Sequence, residues 1–435
     1  MRFHLILLGL LVLGAVQAEE RVLTRRPLQA PKAQQLIEQL GSKDYKEREK
    51  ASKDLATEGE AALPFLKAAL LTTEGPEVQR RLEVLIDTLN SELAFRPTLV
   101  SIDSKNRSAK AIVKDLCKQA GYTFQESGQT DKKITLKLSN VPFWEATHAI
   151  NLATGFSFAT SDDDKKTISV YNDDNLSPYQ YVNGPFRFTA SNINSNRSFQ
   201  LSNIPKAGRT SNQEYMNMSV SIQAEPKLGI VGIGSVTILK AVDDKGTELT
   251  DSESNPVELG IGRAQVPIGY RSLTQSCNMG FNRGSREATT IREFRAKVAV
   301  AILIEERPEF IVENILDAKK KKFSGINFDL EVIDATEAMG VATLKVKLQK
   351  RDANPNNDPS WYYSVNQRLV MIDDKGGKMI GSINEQNQNG STVTMQFNFA
   401  PSPGKKAGKP SKLILNEWIA ESREIEFKFK DIPIP

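Results

Sequence analysis

Apolar positions recur at helical spacing in the first quarter of the chain and at strand spacing through most of the rest. Ala33, Leu36, Ile37 and Leu40 keep the i, i+3, i+4, i+7 pattern that places four side chains on one helix face. Gly41 closes that helix. Asp44 stands where it can cap the next, which turns Ala51 and Leu55 inward and ends at Gly59. Ala62, Leu63, Leu66, Ala69 and Leu70 make a third apolar face. After Gly75-Pro76, Val78, Leu82, Leu85, Ile86 and Leu89 make a fourth. Short helices separated by Gly and Pro predict paired antiparallel packing, a small bundle over 32–95.

The period then changes. Leu99 to Ile102 reads as a strand. Ala109, Ile112, Val113, Leu116, Cys117 and Ala120 share a helix face that Gly121 terminates. Tyr122-Thr123-Phe124 and the alternating Lys133 to Leu138 are two further strands. Pro142 opens a second helix with Phe143, Ala146, Ile150 and Ala153 inward, stopped by Gly155. Phe156 to Ala159 and Thr167 to Tyr171 close the segment as a hairpin around Asp162-Asp163-Asp164. The predicted order over 96–174 is β-α-β-β-α-β-β, a compact α+β unit.

From about Pro185 onward the chain reads as short strands with Gly, Asn and Pro turns, the pattern of β-sandwiches. It also repeats. Leu239-Lys240-Ala241-Val242-Asp243-Asp244-Lys245-Gly246 parallels Leu369-Val370-Met371-Ile372-Asp373-Asp374-Lys375-Gly376. Extended pairs precede each copy (Val220 to Ala224, Leu344 to Leu348). A charged-apolar strand closes each (Arg295 to Ile304, Glu424 to Phe429). Two related sandwiches, 180–318 and 319–435, fit the repetition. One large sandwich with two similar hairpins is the alternative. The expected fold class is therefore multidomain α+β: a small helical bundle, a β-α-β-β-α-β-β domain, then two antiparallel β-sandwiches.

The first residues add a location. Arg2 precedes the apolar run Leu5 to Val16, which ends in Val16-Gln17-Ala18 and then Glu19-Glu20. A basic start, a short apolar core and small residues before the cut form a secretory signal peptide, 1–18, with cleavage after Ala18. About a dozen apolar residues fall short of the roughly 20 that span a bilayer. Residues 19–31 read as a flexible lead-in. The expectation is an exported protein of the periplasm or cell surface, with no transmembrane segment after signal removal.

Composition removes several chemistries. Of two His, His4 belongs to the signal, which leaves His148. A multi-His zinc site is excluded, and any Ser–His–Asp site would have to use His148. Cys117 and Cys277 form no CxxC pair. Cys117 falls on an apolar helix face as a buried inert thiol. Cys277 reads as part of a polar loop, and export would permit a disulfide between the two. A formal charge of +4 gives no argument for nucleic acid. The Asp-Asp-Lys-Gly copies lack calcium-loop spacing and suit tight hairpins. Lys319-Lys320-Lys321-Lys322 reads as a solvated junction. Glu305, Glu306 and Glu309 are the carboxylates in range for a glycosidase-type pair, a chemistry the 7% aromatic content does not favour. No catalytic residue, cofactor or metal is expected. Trp144 and His148, one turn apart on the second helix of the α+β unit and on its outer side, are the candidate interaction surface, against the alternative of an ordinary surface pair or a contact with a neighbouring domain.

Three resemblances accompany these readings. The stretch Asp44-Tyr45-Lys46-Glu47-Arg48-Glu49-Lys50-Ala51, with Leu55, Gly59, Ala62-Leu63-Pro64 and Pro76 to Arg81, resembles a HEAT-type helical repeat over about 60 residues. The α+β unit resembles the short N-terminal domain of secretins and TonB-dependent receptors. That likeness rests on Gly121-Tyr122-Thr123-Phe124, Ile134 to Leu138 and Asn140-Val141-Pro142-Phe143-Trp144-Glu145-Ala146. It implies an envelope interaction module without catalytic residues. The whole arrangement, through the ending Glu424 to Pro435, is similar to uncharacterised exported multidomain proteins of planctomycete-type bacteria. These likenesses imply a non-catalytic envelope protein acting as a protein-interaction or structural module. Its partner would be an envelope or cell-surface protein. A carbohydrate-binding or adhesion role is the alternative, with a glycan as candidate ligand, and a carboxylate-based hydrolase is a further one.

Overall fold

The computed structural model describes residues 29–126, 131–161, 166–172, 177–199, 212–249, 269–351, 359–401 and 408–435. The segment expected to be a signal, 1–18, residues 19–28 of the expected lead-in, and Asp162-Asp163-Asp164, expected at a hairpin tip, lie outside the described residues. The chain divides into two compact units, 1–90 and 91–435. The molecule is mixed α+β and mostly β, with an N-terminal helical segment and large antiparallel sheets in a sandwich-like arrangement.

The helical elements are α1 (Ala30–Gln39), α2 (Tyr45–Glu58), α3 (Leu63–Thr72) and α4 (Pro76–Ala94). Asp44 caps α2, its Oδ1 accepting from Lys46 N at 2.9 Å. Gly59 leaves the helix at φ +63°, a conformation open to glycine at little cost. The four apolar stripes meet in one core around Leu40, Leu55, Leu66 and Leu82.

The second unit opens with β1 (Leu99–Ser108), α5 (Ala109–Ala120), β2 (Thr123–Glu126), β3 (Lys133–Pro142), α6 (Phe143–Thr154), β4 (Phe156–Thr160) and β5 (Thr167–Asn172). This is the expected β-α-β-β-α-β-β order. The strands fall into two small sheets: β1 with β3, and β2-β5-β4, in which β2 and β5 run parallel. Ser108 caps α5, and Gly121 and Gly155 end the two helices in the left-handed region. Ile112, Leu116, Phe143, Ile150, Phe156 and Val170 meet between them.

The β-rich remainder comprises β6 (Gln180–Asn183), β7 (Phe186–Phe199), β8 (Asn212–Ala224), β9 (Ile230–Asp243), β10 (Thr274–Asn282), β11 (Thr290–Glu313), β12 (Lys322–Ser324), β13 (Phe328–Ala338), β14 (Val341–Lys350), β15 (Leu369–Asp373), β16 (Lys378–Asn389), β17 (Thr392–Pro401) and β18 (Pro410–Pro433). One sheet has the order β10-β8-β7-β6. The other has β12-β13-β14-β17-β16-β15-β18-β11-β9. The order β7-β8-β10 recurs as β13-β14-β17, and the pair β9-β11 recurs as β15-β18. Two large cores result, one around Phe188, Phe281, Phe294 and Phe427, the other around Phe328, Val346, Phe397 and Leu415.

Two expectations change here. Residues 424–429 do not close the second core. β11 and β18 each run 24 residues, ~80 Å of extended chain, and pair with each other along nearly their whole length. Leu413 and Leu415 enter one core, while Phe427, Phe429 and Ile432 enter the other. The cores therefore share β18, and the 318/319 boundary in sequence is not a boundary between them. Alternation marks which residues face inward but not which core receives them. Cys277, expected in a loop, lies in β10. Cys277, Met279 and Phe281 alternate inward there, and the exposed polar residues between them gave the segment its loop-like composition. Both cysteines are free and buried, and burial pushes each thiol up to about 12. No disulfide joins them.

Candidate functional site

Trp144 and His148 do not point to solvent. Trp144 is fully buried and His148 is half-buried. The helix face they occupy is covered by the β6–β7 hairpin of the same chain, a partner that helical periodicity within α6 cannot reveal. The Arg187 guanidinium of β7 lies over the Trp144 ring, its carbon 4.5 Å from the centroid. His148 Nδ1 meets Gln180 Oε1 of β6 at 3.2 Å. Burial pulls the His148 pKa below its ordinary value, and the Arg187 charge adds to that. The outward placement expected for the pair, as a recognition patch or as an ordinary surface pair, does not hold for the buried Trp144, and the contacts with Arg187 and Gln180 fit the third reading, contact with a neighbouring domain.

Arg187 itself was not legible as a site residue. It is 6% exposed. Its Nη2 donates to the Phe158 carbonyl at 2.6 Å and to Gln223 Oε1, and Gln223 Nε2 in turn donates to Thr160 Oγ1 at 3.1 Å. Burial lowers its pKa to about 10. A second buried ionisable group lies at the same joint. Glu225, just beyond β8, is fully buried. It accepts from Thr98 N at 2.9 Å, from Thr98 Oγ1 at 2.5 Å and from the Tyr122 hydroxyl at 2.7 Å, with Lys227 Nζ at 3.5 Å. Burial, with the Glu225 carboxylate beside it, pushes the Tyr122 phenol up. These contacts tie the α+β unit to the β sheets by groups that no single-segment pattern pairs.

The three candidate carboxylates are separately engaged. Glu305 pairs with Arg307 at 2.7 Å. Glu306 receives Arg271 at 3.5 Å and Asn416 Nδ2 at 3.4 Å. Glu309 is buried, and its Oε1 accepts from the backbone N–H groups of Asn327 (2.7 Å) and Phe328 (3.0 Å). Its Oε2 is 3.8 Å from Arg368, a buried cation stacked on Phe328. Gly325 suits this approach, since a methyl there would sit 2.7 Å from Glu309 Oε1 and from the Phe310 ring and one of these side chains would have to shift. This carboxylate anchors a loop to β11.

The Asp-Asp-Lys-Gly segments are turns, and they match bond for bond. Asp243 Oδ1 accepts from Lys245 N and Thr247 N (2.9 and 2.8 Å), and Asp373 Oδ1 accepts from Lys375 N and Gly377 N (3.0 and 2.6 Å). Gly246 and Gly376 both take positive φ, +84° and +78°. Asp244 N donates to Thr290 O where Asp374 N donates to Lys409 O. The Lys319–Lys322 run is exposed, with Lys319 paired to Asp334 at 2.7 Å.

Within the helical unit, α2 and α4 border an open groove of about 380 Å³ lined by Glu49, Ser52, Glu77, Arg80, Arg81 and Val84. Arg81 clips its two sides, donating to Glu49 at 2.9 Å and Glu77 at 2.8 Å, and these bonds raise its pKa. Val84 is 58% exposed, an apolar lip beside the charges. Among the described residues no group of three or more His, Cys, Asp or Glu is placed to hold a metal ion. No helix among them is long and apolar enough to cross a membrane.

No protein-family model matches the chain, and no characterised protein does. A solved structure, a conserved domain protein from Bacillus anthracis, is 8% identical with a TM-score of 0.15, over 57% of this chain and 89% of that one. Likeness at that level carries no inference.

Proposed function

We propose that this chain is a non-catalytic exported envelope protein that serves as a protein-interaction or structural module. The observation that carries the reading is the use made of its buried ionisable groups. Arg187, Glu225, Asp243, Glu309 and Arg368 each bind backbone or side-chain groups of another segment of the chain. Buried charge is costly unless paired or hydrogen-bonded, and here it fixes segments against one another. The repeated strand order and matched turns support two related sandwiches that share β18. Together with the α+β unit they form a stiff support. The groove between α2 and α4 is the surface proposed for partner contact, with Arg80 and Val84 on its rim.

A second reading, glycan binding, is favoured by one feature. Lys240, Arg295 and Lys428 sit directly opposite one another across β9, β11 and β18. Like charges in such a row weaken a sheet; Glu293, 2.6 Å from Lys240, and Glu426, 3.5 Å from Arg295, offset part of this, and an acidic polysaccharide would add to that compensation. Cross-linking in the intact envelope, followed by mass spectrometry, tests the first reading. Cross-links from α2 or α4 to one recurrent protein support it. Labelling confined to acidic glycan, weakened by Arg295→Glu, supports the second. Hydrolysis of a glycoside panel that Glu306→Gln abolishes would replace both.

A further inference from the structure

β16 is open along most of one side. Of its 12 residues only Lys378 and Met379 pair with β15. Among the described residues nothing pairs with Ile380 to Asn389 on that side. Every side chain in that stretch is exposed or half-buried. Which backbone groups face the opening follows from the two hairpins that flank it. Asp373 N donates to Gly377 O, and Met371 opposes Met379 two residues further on. Met379, Gly381 and Ile383 therefore turn their N–H and C=O groups to the β15 side. At the other end Asn389 and Thr392 flank a two-residue turn, a pair that bonds to each other, so Gln388 and Gln386 turn theirs away from β17. The phase changes between these ends because Asn384 is an extra residue: Ile383 opposes Phe397, and Glu385 opposes Gln396. The open edge thus presents Gly381, Ile383, Gln386 and Gln388, spaced by two, three and two residues.

Unpaired edges are ordinarily blunted by charge, proline, bulges or shortness. The end strands of this sheet are blunted in these ways. β9 shifts register against β11 at four places, and β12 has three residues in a lysine-rich segment. The open stretch of β16 holds no Lys, Arg or Pro, and its one acid, Glu385, lies 3.2 Å from Lys345 of β14. Its Asn and Gln side chains both donate and accept. We propose that this edge pairs antiparallel with β16 of a second copy of the chain, across a two-fold axis at the Asn384–Glu385 step. The two-three-two spacing reads the same in both directions. A reversed copy therefore sets Gly381 against Gln388 and Ile383 against Gln386, and all four open positions are matched. A regular strand, spaced by two throughout, matches the edge on one side of Asn384 only. The pairing also covers Ile383, which is 37% exposed beside Phe397 of the second core. One strand pair makes a small interface, so the dimer forms at micromolar concentration.

Sedimentation velocity on the full chain from about 1 to 200 μM should show monomer giving way to dimer. Monomer throughout overturns the proposal. Gln386→Pro removes an N–H that faces the opening and that β17 does not use, so it should weaken dimerisation by roughly tenfold or more. Ser235→Lys, on the β9 edge, should leave it unchanged. A dimer insensitive to Gln386→Pro, or one lost in Ser235→Lys, overturns the proposal. An equimolar mixture of Ile383→Cys and Gln386→Cys chains should cross-link on mild oxidation faster than either chain alone, since the native cysteines are buried. Equal rates in the mixture and in the separate chains place the contact elsewhere and overturn the proposal. This comparison decides the matter if Gln386→Pro does not fold.

Discussion

Ile302 faces Glu421 near the middle of the β11–β18 ladder, which runs in regular register from there to Thr290–Pro433 and shifts twice, between Leu303 and Glu305 and between Pro308 and Phe310, on the way to Glu313–Lys412. Ala301 pairs with Ser422 on one side and Leu303 with Ala420 on the other. Thr290 precedes Ile302 by the same number of residues as Lys409 precedes Glu421, and these two carbonyls receive Asp244 N and Asp374 N. The flanking ladders match as well. Lys240–Arg295, Ala241–Phe294 and Val242–Glu293 correspond to Val370–Ile414, Met371–Leu413 and Ile372–Lys412. Each ladder then skips one residue, Arg292 or Ser411, before its Asp pairs. The two copies of the turn sequence, with their flanking ladders, are thus arranged about an approximate local two-fold near the centre of the longest strand pair, which the two register shifts on one side of Ile302 break.

The Asp turns should respond unequally to substitution. Asp243 is buried and also accepts from Ser285 N at 2.8 Å, so Asp243→Ala strands several backbone donors. A loss of about 1–3 kcal/mol in chemical denaturation is expected. Asp373→Ala, at a more open turn, should cost less. An equal loss at both would show that burial does not set the difference.

Acid should weaken the same turns. For Asp243, burial pushes the carboxyl up, but hydrogen bonds from Ser285, Thr247, Lys245 and Gly246 outweigh it and hold the pKa below the usual value. For Asp373, the Gly377 N–H leads the same downward shift. A depressed carboxylate contributes its full stability above the unfolded value, about 3.9, and loses it as pH falls through the folded value. Melts from pH 5 to pH 2 should fall more steeply for the native chain than for Asp243→Asn.

His148 adds a separate window. Its folded pKa lies below the ordinary 6.5 because of burial, so it favours the fold when neutral. That contribution is complete above about pH 6.5 and is lost as pH falls through the lowered folded value. His148→Gln should flatten the pH dependence there. NMR titration of the imidazole gives the pKa directly, and a value above 6.5 would reverse the sign.

Trp144 and His148 should separate on truncation. Trp144→Ala removes a fully buried indole from beneath Arg187 and should cost about 3–5 kcal/mol. His148→Ala, which loses one hydrogen bond at a half-buried site, should cost about 1 kcal/mol. Leu116→Ala, in the same core, should cost about 2–5 kcal/mol. Urea unfolding of the three variants ranks them, and a Trp144→Ala melt equal to the native one would restore the exposed placement.

The export proposed above implies a mature N-terminus at Glu19, because Val16 and Ala18 suit signal peptidase. N-terminal sequencing of protein recovered from the envelope decides this, and recovery of intact Met1 would overturn it.

Much of the local structure was legible because its causes are local. Asp44 caps the helix whose first turn it adjoins, and Gly121 and Gly155 end helices where only glycine takes the left-handed conformation freely. The Asp-Asp-Lys-Gly repeat identified matching turns because the Asp side chain bonds backbone two and four residues on.

What the sequence by itself determined, then, was the elements, their order and the repeated turn, since each depends on neighbours a few residues away. The tertiary structure alone decided what those elements face. Trp144 is a surface residue on α6 taken alone and a core residue once Arg187 arrives from β7. Glu225 is an ordinary carboxylate until Thr98 and Tyr122, far earlier in the chain, surround it. Phe427 and Leu415 carry the same inward signal on one strand, and only sheet packing assigns them to different cores. Burial is a property of the assembled sheets, and period-two or period-3.6 patterns record a face without naming its partner.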